Sequence, residues 1–236
     1  MIYVTSDLHG YSLERFTDFL DKVGFCDDDT LYVLGDVIDR GADSVKLLRW
    51  LMRKRNVRLL LGNHEAMLLS CDFLFDGDTD EIISRLVGTR LDKFRIWASN
   101  SGYVTLNALD GVRDSEIRYI LDYLRALPLF YTLNVNGRSF ILTHSGLGGF
   151  SEEKPLSGYS SDELLWTRPD ITTRYFENAT VIFGHTPTAV FGEEHTGRIL
   201  KTDTWINVDV GVGKGAEPAL LRLDDMAELY YSELAE

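Results

Sequence analysis

At 236 residues, with 44% hydrophobic and 26% charged side chains, the chain has ordinary globular composition and enough apolar residues for one large core, so a single domain over residues 1–236 is expected. Its 24 basic against 37 acidic side chains leave a net charge of −13, which argues against nucleic acid or an anionic membrane as partner and requires local cations for any anionic substrate. No apolar run is long enough to span a bilayer and MIYVTSDLHG lacks a leader's basic flank and apolar region, so a cytoplasmic protein is expected, and two cysteines, Cys26 and Cys71, suggest no disulfide framework.

The first β-rich run is Ile2 to Thr5. Ser12 can then cap a helix that places Leu13, Phe16, Leu20 and Val23 on one face. A second strand follows at Leu31 to Leu34. After Asp43, Val45, Leu48, Leu51 and Met52 repeat the helical spacing, and Val57 to Leu61 reads as a third strand. This βαβ rhythm predicts a largely parallel sheet whose strand ends line up along one edge, where ligands of such folds bind. Residues 76–127 are charged and helical in pattern, and read as a helical insertion over one side of the core. Strands return after Pro128, with Ser139 to Thr143 and Thr180 to Phe183, and then WINVDVGVG and ALLRLDD; the acidic AELYYSELAE reads as a solvated end.

Each of these five strands runs into polar residues that a turn does not require. Asp7 and His9 follow the first, and Asp36, Asp39 and Arg40 the second. Asn63 and His64 follow the third, His144 the fourth and His185 the fifth. Taken singly, each has a plain explanation as a helix cap, a surface histidine or a hydrogen-bonded core histidine. Taken together, that explanation is needed five times, always with oxygen or imidazole groups. If the strand ends share an edge, carboxylates, imidazoles and an amide pool in one small volume. Carboxylates so close stay ionised only beside cations, and divalent metals are the simplest source. His195, in GEEHTG, has no such context. The glycine-rich GVGKGAE fails as a phosphate-binding loop, because no Ser or Thr follows Lys214. RKRNVR, at a helix C-terminus, complements the helix dipole.

In order, the motifs SDLHG, GDVIDRG, GNHE, THSGL and FGHTP resemble those of the calcineurin-like metallophosphoesterases, and more narrowly the bacterial and phage-type phosphoprotein phosphatases. The resemblance spans Asp7 to His185. It implies an α/β fold, a β-sandwich of two mixed sheets flanked by helices. It also implies that Asp7, His9 and Asp36 hold one divalent metal while Asp36, Asn63, His144 and His185 hold a second, with Asp36 bridging and a water between the metals as the nucleophile. The nitrogen and oxygen donors suit manganese, with iron or zinc as alternatives. Ser6 stands where the family has glycine, and Ser145 where glycine or alanine is frequent.

By the same resemblance Arg40 and Arg168 bind the phosphoryl oxygens, which a guanidinium fork suits. His64 becomes the proton donor to the leaving oxygen, held by Asp39, whose carboxylate is expected to raise the imidazole pKa. Glu65 is expected to support the loop. The substrate implied is a phosphoprotein or a phosphorylated small molecule. Hydrolysis of phosphoserine or phosphothreonine ranks first and symmetrical diadenosine tetraphosphate hydrolysis second, because the dinucleotide enzymes usually carry alanine in place of Asp39 and aspartate in place of Glu65. A phosphopeptide-binding module without catalysis ranks third, since every ligand is retained.

Overall fold

The computed structural model describes residues 1–77 and 79–234. In chain order the elements are β1 (Ile2–Thr5), α1 (Leu13–Lys22), β2 (Thr30–Val33), α2 (Ser44–Arg53), β3 (Val57–Leu59) and α3 (Asn63–Ser70). The insertion contributes α4 (Thr79–Arg85), α5 (Thr89–Ser99), α6 (Gly102–Leu109) and α7 (Asp114–Arg125). Then follow β4 (Phe130–Val135), β5 (Arg138–Thr143), α8 (Ser161–Leu165), β6 (Thr180–Phe183), β7 (Leu200–Lys201), β8 (Trp205–Asn207), β9 (Ala219–Arg222) and β10 (Ala227–Tyr230).

Two five-stranded mixed sheets result, in the orders β10-β9-β1-β2-β3 and β4-β5-β6-β8-β7. The βαβ rhythm gives the parallel pairs β1–β2 and β2–β3; β5–β6 and β6–β8 are also parallel. Between the sheets lies an apolar layer in which Val4, Leu34, Leu60 and Leu221 of one meet Phe140, Leu142, Ile182 and Ile206 of the other. This is the two-sheet α/β architecture expected.

The outer face of the first sheet is covered by the predicted amphipathic helices. Phe16, Phe19 and Leu20 of α1 and Val45, Leu47, Leu48 and Leu51 of α2 are buried there. Ser12 caps α1 by accepting the Arg15 N–H at 3.3 Å. Asp43 accepts the Leu13 N–H at 3.0 Å and so ties the start of α1 to the residue preceding α2. The insertion packs on the same side, with Trp97, Leu109, Ile117 and Leu121 in that core. No helix among the described residues is long and apolar enough to cross a membrane.

One expectation fails. Residues 227–230, expected to belong to a solvated end, form β10 on β9, with Tyr230 buried and Tyr231 edge-on to Phe19. Acidic side chains obscured a strand whose apolar members face inward.

Candidate metal centre and its surroundings

The loops after β1 and β2 are laced together by backbone bonds: Asp7 N–H to Gly35 O at 3.1 Å, His9 N–H to Asp36 O at 2.9 Å and Gly10 N–H to Val37 O at 2.7 Å. Backbone amides from the other loops then close on their carboxylates. Asp36 Oδ1 accepts the His64 N–H at 2.9 Å, and Asp7 Oδ2 accepts the His185 N–H at 2.8 Å. Asp7, His9, Asp36, Asp39, Arg40 and His185 all have positive φ, between 43° and 69°. That region is unfavourable for residues with a Cβ, and such strain concentrates at functional sites.

The side chains so placed converge. One ligand atom from each of His9, Asp36 and His64 lies within 4.8 Å of the others, and the same holds for Asp36, His144 and His185. Asp36 belongs to both groups through different oxygens. Its Oδ2 is 3.7 Å from His9 Nε2 and 3.8 Å from His64 Nε2, while its Oδ1 is 3.5 Å from His144 Nε2. Asp7 Oδ1 lies 3.8 Å from His9 Nε2. Its other oxygen accepts the Ser6 hydroxyl at 2.5 Å, so the serine in place of glycine adds a donor to this carboxylate. Asn63 Oδ1 sits 2.9 Å from His144 Nε2 and 2.8 Å from His185 Nδ1. All six predicted ligands are buried and meet in one place.

Tautomers decide what this cluster can do. His9 Nδ1 donates to Ile38 O at 3.1 Å and His144 Nδ1 to Leu34 O at 2.7 Å. Each ring therefore turns an Nε2 lone pair toward carboxylate oxygens. Lone pairs aimed at lone pairs in a buried space need a cation between them, and a backbone carbonyl fixing the distal imidazole nitrogen is the usual support of a metal-ligating histidine. Burial, the largest cause, pushes His9 down to about 3 and His185 to about 2, so both rings are in the neutral, ligating form at neutral pH. Asp36 is pushed well above the carboxylate range by burial and then by its neighbours Asp7 and Glu65. A divalent cation would reverse that cost. The residues fit a pair of divalent ions.

Beside the cluster stands the His64–Asp39–Arg40 group. His64 Nδ1 donates to Asp39 Oδ2 at 2.6 Å, while Arg40 Nη2 lies 3.3 Å from His64 Nε2. A guanidinium has only donors, so Nε2 accepts and the ring is neutral. The expectation that Asp39 keeps His64 protonated near neutrality is thus corrected. Burial and then Arg40 push His64 down to about 3, and burial pushes Asp39 up to about 7. Desolvation and the Arg40 charge outweigh the upward pull of Asp7. Arg168 is nearby: its Nη1 donates to Thr186 Oγ1 at 3.2 Å and to His185 O at 3.4 Å. Arg40 and Arg168 are both solvent-accessible at this rim. His195 takes no part.

Other contacts emerge only in three dimensions. Glu65, fully buried, accepts the N–H groups of Val37 and Ile38 on Oε1 and those of Asp36 and Gly62 on Oε2, at 2.8–3.2 Å. One carboxylate thus fixes both the Asp36 loop and the Asn63 loop. From the insertion, Thr105 Oγ1 donates to Asp39 Oδ1 at 2.5 Å and accepts the Asp39 N–H at 2.9 Å, and Trp97 Nε1 donates to Asp39 Oδ2 at 2.9 Å. Gly102 permits this arrangement, since a Cβ there would lie 2.4 Å from the Trp97 ring. Asp209 is a further buried carboxylate near Asp7, accepting the Gly211 N–H at 2.9 Å.

Two sheets ending in a dinuclear donor set define a type of centre, and comparison with known proteins decides its family. A family model described as calcineurin-like phosphoesterase matches residues 1–210. The chain belongs to that family. Its members are metal-dependent phosphoester hydrolases, and this phosphoesterase is similar along much of its length to curated bacterial proteins. A symmetrical bis(5'-nucleosyl)-tetraphosphatase of Chromobacterium violaceum is 27% identical over 194 residues, 79% of this chain and 57% of the relative. One from Wigglesworthia glossinidia brevipalpis is 44% identical over 69 residues, 28% of this chain and 25% of the relative. The phosphoesterase thus spans well under two thirds of these relatives' length. Among solved structures, a protein provisionally assigned as a diadenosine tetraphosphatase superposes with a TM-score of 0.65 at 20% identity, covering 97% of this chain and 91% of that one. The cold-active protein-tyrosine phosphatase of a psychrophilic Shewanella gives 0.57 at 20% identity, covering 98% and 77%. At such identities these structures attest the fold alone.

Proposed function

We propose that the chain, acting as one domain over residues 1–236, splits dinucleoside tetraphosphates symmetrically. Water adds to one inner phosphorus, the central P–O–P bond breaks, and two nucleoside diphosphates leave. The observation that carries this reading is the Arg40–His64 contact. With Nε2 accepting from Arg40 and Nδ1–H committed to Asp39, His64 has no spare proton for a leaving group. An anhydride needs none, because a nucleoside diphosphate departs as a stable anion, whereas a serine alkoxide needs protonation. The tetraphosphatase relatives point the same way, and the ranking made from sequence is reversed accordingly.

On this reading Asp7, His9 and Asp36 hold one metal, and Asp36, Asn63, His144 and His185 the other; manganese is the first metal to test. When bound, the pair supplies an activated water and neutralises charge on the phosphoryl oxygens. The chain's own groups do the rest. Arg40 and Arg168 fork onto the phosphoryl oxygens and resist their rotation. Once Arg40 turns toward phosphate, His64 Nε2 is free to accept a hydrogen bond from the O–H of the attacking water, with Asp39, Trp97 and Thr105 fixing the ring. Glu65 holds the Asp36 and Asn63 loops at their separation.

A second reading, hydrolysis of phosphoserine or phosphothreonine, is favoured by the 2.6 Å Asp39–His64 pair, which could hold a second proton after Arg40 has moved. Side-by-side kcat/KM values on diadenosine tetraphosphate and on phosphoserine and phosphothreonine peptides separate the two. Preference for the dinucleotide, with two nucleoside diphosphates as products, is expected. Preference for the peptides overturns the first reading.

A further inference from the structure

A tetraphosphate carries more charge than Arg40 and Arg168 meet at the reacting phosphoryl group, and the chain is acidic overall. Cations for the neighbouring phosphate must come from the rim. Next to Arg40 runs the segment from Gly211 to Gly215, whose sequence fails as a phosphate-binding loop. Gly213 lies flush against the site: a Cβ built on it would sit 2.5 Å from Arg40 Nη1 and 2.6 Å from His9 Cδ2. Gly213 does not have positive φ, unlike Gly211 at 92° and Gly215 at 99°. Glycine is required there by proximity to the two site side chains, which is one use of a residue without a Cβ.

The segment is held firmly. Asp209 accepts the Gly211 N–H at 2.9 Å. Lys214 N–H bonds Gly211 O at 2.9 Å, Ala216 N–H bonds the same oxygen at 3.2 Å, and Val212 is buried in the layer between the sheets. Lys214, the residue after Gly213, is exposed. The nearest acidic residue along the chain, Glu217, is engaged by Arg15, and among the described residues Lys214 has no ion-pair partner.

We propose that Lys214, carried on the Gly211–Gly215 loop, is a second phosphate subsite adjoining Arg40, and that it takes the phosphate next to the one cleaved in a nucleoside polyphosphate. Its natural occupant rests on the dinucleotide reading; its ligand class, a diphosphate or longer, does not. Lysine suits this place because a mobile point charge follows a phosphate chain whose outer part is unconstrained, whereas the reacting phosphoryl group calls for a fixed guanidinium fork. The loop fixes the backbone, and the four-carbon stem supplies the reach.

The test compares orthophosphate and ADP as inhibitors of p-nitrophenyl phosphate hydrolysis, with manganese in excess, for wild type, Lys214→Ala and Lys214→Arg. Chelation of metal by ADP acts equally on all three proteins and cancels in the comparison. Removing an exposed charge contact to phosphate is expected to weaken ADP by about fivefold to tenfold, to weaken orthophosphate distinctly less, and to be largely restored by arginine. Equal weakening of both inhibitors, or of neither, overturns the subsite. If instead the wild type binds ADP through Lys214 but does not hydrolyse diadenosine tetraphosphate, the subsite stands and the dinucleotide reading falls.

Discussion

Thr105 is the sharpest probe of how the insertion reaches the reaction. Thr105→Val keeps the shape of the side chain and removes two interactions at one buried point, the donation to Asp39 Oδ1 at 2.5 Å and the acceptance from the Asp39 N–H at 2.9 Å. A hydrogen bond to a charged group contributes about 1.5–3 kcal/mol and a buried orphan N–H costs about 1–3 kcal/mol. Allowing for partial relaxation, the loss is about 2–4 kcal/mol. For a chain of this size 1 kcal/mol corresponds to roughly 2–4 °C, so melting should fall by about 5–15 °C and Thr105→Ser should recover most of it. Activity adds a second readout. The variant should lower kcat on diadenosine tetraphosphate, because Asp39 no longer fixes the His64 ring beside the reacting group. Placed in a His64→Asn background, Thr105→Val should cost the same stability but no further turnover. A full additional loss of turnover in the double variant, or an unchanged melting temperature in the single one, would refute the coupling of the insertion to His64.

The remaining expectations concern metal, charge and pH. Chelated protein should be inactive, melt lower and regain both properties with manganese, while Asp36→Asn should bind markedly less metal by elemental analysis; full turnover by metal-free protein would contradict the two-metal reading. Arg168→Ala should lower turnover on diadenosine tetraphosphate and weaken orthophosphate inhibition together, by about tenfold each; wild-type values for both would leave Arg168 with only its bonds to Thr186 and His185. Asp209→Asn should stabilise the chelated protein near neutral pH. Burial and Asp7 raise the Asp209 pKa, so its favourable contribution is present below the unfolded carboxylate value of about 3.9 and is lost as pH rises through the folded one. Asparagine keeps the acceptor for the Gly211 N–H, and its melting advantage should vanish in acid; an advantage independent of pH would show that titration is not its source.

The parts of the site that could be read from sequence are those tied to strand ends. Asp7, His9, Asp36, Asn63, His144 and His185 each follow a strand recognisable from β-branched and apolar runs, and their meeting point follows from parallel strands ending on one side. Thr105 and Trp97 were not legible in this way. Their partner Asp39 is about sixty residues away, and a threonine in a helix or a buried tryptophan has an ordinary packing explanation. Glu65 was visible as a carboxylate, but its four backbone donors come from two loops that sequence alone does not bring together. The state of His64 is not legible in the sequence, because an aspartate nearby carries no sign of the depth of burial that it shares with the ring. The inward-facing side of β10 was hidden for the opposite reason: its exposed acidic residues dominate the composition.

Among the described residues, nine non-glycine positions have positive φ, and six of them are Asp7, His9, Asp36, Asp39, Arg40 and His185. At about 1–2 kcal/mol each, their combined strain is of the order of 6–12 kcal/mol, comparable to the whole net stability of an ordinary domain at about 5–15 kcal/mol. Glycine would relieve it at every one of these positions, yet glycine carries no ligand, guanidinium or carboxylate. The left-handed turn at a strand end is what lets a side chain fold back over the sheet edge instead of continuing the pleat outward. The backbone bonds between the first two loops, the Glu65 clamp and the Asp36–His64 and Asp7–His185 amide contacts sustain that geometry. Function and fold therefore compete at the same residues, and the apolar layer between the two sheets supplies the stability that keeps them strained.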